Sequence, residues 1–274
     1  MAQSIETKVR LNNGVEMPQL GLGVWQMSTK ETLDSVGYAL KVGYRHIDTA
    51  TLYGNEAEVG EAIRKSSIPR EHIFVTTKLW NNDHGKDRAP RAFEESVKEL
   101  NLGYVDLYLV HWPVAGLRNE TWDALLKVHK EGKCRALGVS NYTIRHLEEL
   151  LGRSELVPTV NQVEFHPFLF QKELLGFCQK HGIQLEAYSP LTKGKRLKDP
   201  ELSEVAVRYK KSTAQILIRW ALQHGVVVIP KSATPKRIEE NSKVFDFRIS
   251  DKDMGYLDTL NEDFRSTWDP SEIP

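Results

Sequence analysis

The sequence predicts an α/β fold of the (β/α)8 TIM-barrel class with an N-terminal β-hairpin, in one domain over residues 1–274. Three observations carry the expectation. Short apolar runs alternate with stretches whose apolar residues recur every three or four positions, the marks of strands followed by amphipathic helices. The alternation continues through eight units with no linker or low-complexity stretch between them, whereas an open doubly wound sheet usually has about five or six strands. The length of 274 residues lies near the roughly 250 that such a barrel occupies.

The opening segment KVRLNNGVEMP holds two short extended runs around Asn13-Gly14, a dipeptide that tolerates positive φ and marks a tight hairpin. The first barrel strand falls near Leu20–Val24. Its helix opens at Ser28-x-x-Glu31, a capping box, with Leu33, Val36 and Leu40 on one face. The second strand covers Tyr44–Ile47 and precedes a helix carrying Val59, Ala62 and Ile63. The third, Ile73–Lys78, precedes Phe93, Val97 and Leu100. The fourth and fifth strands are Val105–Val110 and Arg135–Val139, with helices built on Trp122 and Leu125 and then on Ile144, Leu147 and Leu151. The last three are Thr159–Val163, Gln184–Tyr188 and Val226–Ile229, separated by helical patterns such as Leu202, Val205, Ala206 and Tyr209. Strands this apolar are buried on both faces.

Composition narrows the function. Thirty-seven basic side chains balance thirty-seven acidic ones, so there is no long-range field to draw in nucleic acid or an anionic membrane, and neither is expected as a partner. Cys134 and Cys178 belong to no CxxC pair, which argues against a disulfide framework. The start MAQSIETKVRL lacks the apolar core of a signal peptide, and no run approaches the roughly 18 apolar residues of a membrane span. A cytoplasmic monomer is the expectation. No HExxH, EF-hand, Walker A or GxSxG pattern occurs, so no metal is expected. GLGVWQ starts like a dinucleotide fingerprint but places Gln26 where the third glycine belongs, which disfavours a Rossmann dehydrogenase.

In a (β/α)8 barrel the reacting groups collect at the carboxyl ends of the strands. Residues just after the apolar runs are therefore the candidates: Trp25, Asp48, Lys78, His111 with Trp112, Ser140 and Asn141, Gln162 and Glu164, Tyr188 and Ser189, and Lys231 with Ser232. Singly, each has a structural explanation, since a buried lysine needs a partner such as Asp48 and a strand-end histidine is commonly hydrogen-bonded core. Together, an acid, an ammonium and an imidazole from three strands, with the phenol of Tyr53, exceed what an ion pair requires. After the last strand, Thr234-Pro235 has the form of an N-cap followed by N1 proline. Lys231, Ser232 and Arg237 surround that helix start, a place suited to a phosphate.

These segments resemble the aldo-keto reductase family, and the match runs from Gly21 to Asn241. GYRHIDTATLYGNE is similar to the segment carrying the family's catalytic aspartate and tyrosine, here Asp48 and Tyr53. TTKLW supplies Lys78 and LYLVHWP supplies His111. The resemblance implies NADPH as cofactor and a small-molecule carbonyl as substrate. It assigns Ser140, Asn141 and Gln162 to the nicotinamide carboxamide through GVSNY and VNQVEFHP, and Tyr188 to the ring. Lys231, Ser232, Thr234, Arg237, Glu240 and Asn241 in PKSATPKRIEEN fall to the adenosine phosphate. Gly23, Val24, Trp25, Asp48, Ser189 and Leu191 complete the implied cofactor set.

Reduction of a carbonyl needs a proton donor at the oxygen that becomes an alkoxide. Tyr53 fits that role, with Lys78 lowering the phenol's pKa, Asp48 fixing Lys78, and a neutral His111 orienting the carbonyl. Trp25, Trp80 and Trp112, together with Tyr53 and His111, are expected to line the substrate pocket. The short loop WPVAGLRNETW and the brief tail NEDFRSTWDPSEIP resemble bacterial and protozoan members, among them diketogluconate reductases and prostaglandin F synthases. Methylglyoxal, aromatic aldehydes and diketo sugar acids are therefore all candidate substrates. A Schiff-base lyase using Lys78 as an amine is a competing reading, and a non-enzymatic NADPH-binding subunit is another.

Overall fold

The computed structural model describes residues 4–274; Met1, Ala2 and Gln3, the start of the amino-terminal stretch read above, lie outside the described residues. Strands β1 (Lys8–Arg10) and β2 (Glu16–Pro18) pair antiparallel with Val9 opposite Met17. The Gly14 amide donates to the Leu11 carbonyl at 2.9 Å, and Leu11 N donates to Val15 O at 2.9 Å. Only Gly14 holds positive φ, at 87°. The turn is thus a three-residue loop ending in a left-handed glycine, wider than a two-residue turn in which both central residues are left-handed.

Eight parallel strands follow in sequence order: β3 (Leu22–Gly23), β4 (His46–Asp48), β5 (Phe74–Leu79), β6 (Val105–Val110), β7 (Cys134–Ser140), β8 (Val160–Glu164), β9 (Gln184–Tyr188) and β10 (Val227–Val228). The sheet closes on itself through parallel bridges between Leu20 and Val228 and between Gly23 and Lys231. The two strands at this seam are shorter than the sequence predicts. Pro230 has no N–H to donate and only accepts, from Gly23 N at 3.3 Å, so the ladder is interrupted there and continues only as the isolated Gly23–Lys231 bridge. Gly21 is required at the seam because a Cβ there would stand 2.7 Å from the His46 ring.

Outside the barrel lie α1 (Thr29–Lys41), α2 (Glu56–Lys65), α3 (Arg88–Leu100), α4 (Arg118–Lys130), α5 (Ile144–Leu151), α6 (Lys172–Lys180), α7 (Pro200–Tyr209), α8 (Thr213–Gln223), α9 (Pro235–Ser242) and α10 (Asp251–Asp258). The capping box on α1 forms as read, with Ser28 N donating to Glu31 Oε2 at 2.9 Å and Glu31 N to Ser28 Oγ at 3.4 Å. In α5 the buried face is His146, Leu147 and Leu150, while Leu151 is only half-buried. Two helices, not one, follow β9. Every residue from Gln215 to Leu222 of α8 is buried, the polar Gln215 and Arg219 among them, so this helix lacks the exposed polar face that marks a surface helix.

Alternation along the strands divides the core in two. Outward residues such as Ile47, Val75, Tyr108 and Leu137 pack under the helices. Inward residues Phe74, Leu107, Leu109, Ala136, Val160 and Val227 form a separate cluster capped by Leu11 and Met17 of the hairpin segment. Asn12 Nδ2 donates to Pro158 O at 3.1 Å and Asn13 Nδ2 to Arg135 O at 3.0 Å, tying the hairpin across the floor. Burying Leu11 and Met17 contributes about 1.5–3 kcal/mol each. The carboxyl end is the open one.

Candidate functional site

A cleft of about 1170 Å³ opens at the carboxyl ends of the strands. That volume exceeds the roughly 300–1,000 Å³ of a site for one drug-sized molecule. The sequence-derived residues that line it are Gly23, Trp25, Asp48, Tyr53, His111, Trp112, Asn141, Gln162, Tyr188, Ser189, Leu191, Lys231, Ser232, Thr234, Arg237, Glu240 and Asn241. Four others are absent from its wall, the half-buried Trp80 among them. Val24 belongs to the helix-facing core, and Lys78 is fully buried behind Tyr53. Ser140 donates to Gln162 O at 2.8 Å and accepts from Asn141 Nδ2 at 3.2 Å. Trp80 lies edge-on to His111 with ring centroids 5.3 Å apart. Gln26, Asn141, Ser189 and Lys193 on this wall hold left-handed backbone, the kind of local strain that gathers at functional sites.

At the base, Lys78 Nζ donates to Asp48 Oδ1 at 2.6 Å, to Thr49 O at 2.8 Å and to Tyr53 Oη at 3.3 Å. Three different βα units supply Asp48, Lys78 and His111, and the 3-10 turn Thr51–Tyr53 swings the phenol back over the lysine. Burial pushes the ammonium's pKa down, but Asp48 and Tyr53 outweigh it, so Lys78 is held above its ordinary value. A permanently charged, fully partnered ammonium lacks the free amine that a Schiff-base mechanism needs. For Tyr53, burial raises the phenol by more than Lys78 lowers it; the lowered value expected from the neighbouring ammonium alone is reversed by desolvation. His111 falls well below its usual range through burial and the Lys78 charge, so its ring is neutral.

At the far end, α9 begins at Pro235 with Thr234 as its N-cap residue, though the Thr234 side chain makes no capping hydrogen bond. Ser232 Oγ accepts from Thr234 N at 3.2 Å instead. Lys231 and Arg237 are exposed at the cleft, and neither forms an ion pair within 4 Å among the described residues.

Residues 17–262 match the sequence profile of the Aldo/keto reductase family. The chain belongs to that family. It is 50% identical to the glyoxal reductase of Bacillus subtilis (strain 168) over 274 residues, all of this chain and 99% of that one. It is 49% identical to the 9,11-endoperoxide prostaglandin H2 reductase of Trypanosoma cruzi (strain CL Brener) over 269 residues, 97% of this chain and 95% of that one. A crystal structure of an aldo/keto reductase from Brucella melitensis superposes with a TM-score of 0.90 at 49% identity, covering 93% of this chain and 99% of the other. This aldo-keto reductase is thus an oxidoreductase acting on carbonyl groups, in a family that uses NAD(P)H. Two relatives of nearly equal identity bear the names of very different substrates, so identity alone does not choose between them.

Two features of this aldo-keto reductase escape the strand-end rule. The first lies one layer below the mouth. Gln162 Nε2 donates to Asp48 Oδ2 and to Glu186 Oε2, both at 2.8 Å, so a single amide bridges two buried carboxyl groups. Of these two carboxyl groups, only Asp48 forms an ion pair with Lys78. Burial and the Asp48 charge push Glu186 up to about 8, so Glu186 holds a proton at neutral pH. His46, pushed down to about 3 by burial, stands 3.5 Å from the other oxygen as a neutral ring.

This has a measurable consequence. Between 4.5 and about 8 the folded carboxyl keeps its proton while the unfolded one has lost it. The unfolded state therefore binds fewer protons, and this group's share of stability falls as pH rises across that window. Glu186→Gln removes the effect. Calorimetry of both proteins should show the variant's Tm gaining on the wild type's from pH 5 to 8, whereas parallel curves would mean that Glu186 is ionised in the fold.

The second feature is the tail. Ser266, Thr267 and Trp268 line the cleft, and Trp268 lies 5.7 Å from Trp112 between ring centroids. The available sequence signal was a tryptophan in an otherwise polar segment after the last helix.

Proposed function

We propose that the chain reduces neutral aldehydes and ketones with NADPH, Tyr53 giving the proton to the carbonyl oxygen. The observation that carries this reading is the Tyr53 hydroxyl, 3.3 Å from an ammonium that is itself fixed by Asp48, at the base of a cleft long enough for a dinucleotide and a small substrate. The cofactor supplies the hydride when bound, and the protein supplies orientation and the proton. Burial keeps the Tyr53 phenol protonated until the oxygen beside it gains charge. Lys78 then stabilises the phenolate left behind.

His111 Nδ1 is buried without a partner, so a proton there would be an unsatisfied buried donor. The neutral ring therefore carries its proton on Nε2, where it can donate to a carbonyl oxygen and set its angle. Asn141 and Gln162 offer amide groups to the nicotinamide carboxamide, Ser140 holding them in place, and Tyr188 offers its face to the ring. Trp25 and Trp112 form the apolar side of the substrate pocket, with Trp80 bracing His111 from behind.

The unpaired Lys231 and Arg237 at the start of α9 fit the extra phosphate of NADPH. Removing one charge-assisted contact costs about 1.5–3 kcal/mol, or roughly tenfold to a hundredfold in affinity. Arg237→Ala should weaken NADPH by that factor and leave NADH within twofold, as read by quenching of tryptophan fluorescence; equal losses for both cofactors would refute the assignment.

The substrate's charge follows from the distribution of cations. Of those on the cleft wall, Lys193 is engaged by Ser266 O and Lys231 and Arg237 stand at the start of α9, while Trp25, Leu52, Trp112 and Trp268 share the wall with Tyr53. Methylglyoxal and phenylglyoxal are therefore favoured over a diketo sugar acid. Rates of NADPH consumption across these compounds, nitrobenzaldehyde and a prostaglandin endoperoxide test the reading, and turnover of the sugar acid matching that of the neutral dicarbonyls would count against it.

A further inference from the structure

Glu164 ends β8 and is 1% exposed, yet it contributes nothing to the proton transfer described above. Its carboxylate is a five-donor acceptor. Ser266 N reaches Oε1 at 2.8 Å, and the Ser266 hydroxyl donates to the same oxygen. Thr267 N and Thr267 Oγ1 reach Oε2 at 3.1 and 2.6 Å. His166 Nε2 lies 3.2 Å from Oε1. These donors outweigh burial and pull the carboxyl down to about 2. Four of the five come from two adjacent residues about a hundred positions away, and those residues are followed directly by Trp268.

Trp268 is 67% exposed, and among the described residues Trp112 provides its one ring contact. Burial therefore does not hold its indole. The backbone does. Ser266 and Thr267 are gripped from beneath by Glu164, and Lys193 Nζ donates to Ser266 O at 3.1 Å from above. Thr267 Oγ1 also stands 3.0 Å from Tyr188 Oη, which donates to Asn141 Oδ1 at 2.8 Å, so the same grip meets the cleft floor.

We propose that Glu164 is a specificity-determining positioning residue: its carboxylate clamps Ser266 and Thr267 so that Trp268 stands as the outer wall of the substrate pocket, where it selects carbonyl compounds bearing an aromatic group. The proposal rests on the reading of the cleft as a carbonyl-reducing site. On that reading the phenyl group of phenylglyoxal is the part of the substrate that meets Trp112 and Trp268, and methylglyoxal has no ring to do so.

The test compares wild type with Glu164→Gln, whose amide can accept at one end only and presents a donor to the other pair of donors. An aromatic contact is worth about 0.5–1.5 kcal/mol, or roughly two- to tenfold in binding. KM for phenylglyoxal should rise by that factor in the variant, with kcat and the KM for methylglyoxal within twofold of wild type. Hydrogen exchange at residues 264–269 should accelerate in Glu164→Gln and not in Trp268→Ala. Trp268→Ala should raise the phenylglyoxal KM equally, and the double variant should show no further rise, because both substitutions remove one wall.

If Glu164→Gln does not fold, Ser266→Ala/Thr267→Val removes the side-chain donors from the tail side and is held to the tail-exchange expectation alone, because Thr267 also meets Tyr188. Unchanged tail exchange, additive effects on KM, or an equal fall in kcat for both dicarbonyls would each overturn the clamp. Should the wild type reduce neither compound, the reading of the cleft fails, and tail exchange alone decides the clamp.

Discussion

Tyr53→Phe is expected to lower kcat for methylglyoxal reduction by about 10²- to 10⁴-fold, the range typical of a positioned general acid. The substitution keeps the ring, and with it the contacts to Trp25 at 4.7 Å and His111 at 5.9 Å between centroids. Cofactor affinity should stay within twofold, since only the hydroxyl leaves. The alternative donor is His111, which lines the same pocket. Its pKa lies well below the ordinary imidazole range, so it carries a single ring proton and has no second one to release near neutrality. Stopped-flow measurement of NADPH oxidation separates the hydride step from product release. A variant whose hydride step matches wild type would transfer the acid role from Tyr53 to another group.

Lys78→Met should reduce both activity and stability. Lys78 is fully buried and Asp48 is 2% exposed, so the variant leaves a carboxylate inside the protein with only the Gln162 amide to satisfy it. Breaking a buried pair from one side costs about 3–5 kcal/mol. Urea unfolding should show a loss in that range, and adding Asp48→Asn should recover most of it, because the stranded charge is then gone. Activity should not return, since the phenolate of Tyr53 would still lack its cation. A Lys78→Met protein as stable as wild type would show that Asp48 takes up a proton when its partner is removed.

Much of this site was legible because a barrel converts sequence position into spatial position. Asp48, Lys78 and His111 each end an apolar run, and that rule alone brings them to one mouth before any distance is measured. Eight strands lie where the apolar runs lie, with differences at the seam, where Pro230 interrupts the ladder. Glu186 was passed over for the same reason that the others were found. It sits inside the run QLEAY, not after it, and its neighbours Gln162 and His46 come from strands far away in sequence. An acid within a buried strand is nevertheless a signal, because it requires either a partner or a proton. The grip of Glu164 on the tail could not be read at all, since nothing in NEDFRSTWDPSEIP shows which carboxylate its hydroxyls will meet.

The desolvation of Tyr53 was also hidden from sequence. An ammonium beside a phenol suggests a lowered pKa, and only the extent of burial shows that the opposite effect prevails. Residue types give the sign of each interaction, while the packing around them decides which is larger.

The hairpin gives the barrel a base as well as a mouth. Met17 and Leu11 close the end opposite the cleft, and Lys78, Glu186 and His46 are themselves fully buried. The closed base of the barrel is therefore the property of a small ribbon at the end opposite the cleft. Residues there are free to vary in shape only as long as they stay apolar and fill the base. A polar substitution at Met17 would bury a hydrogen-bonding group in that base without a partner.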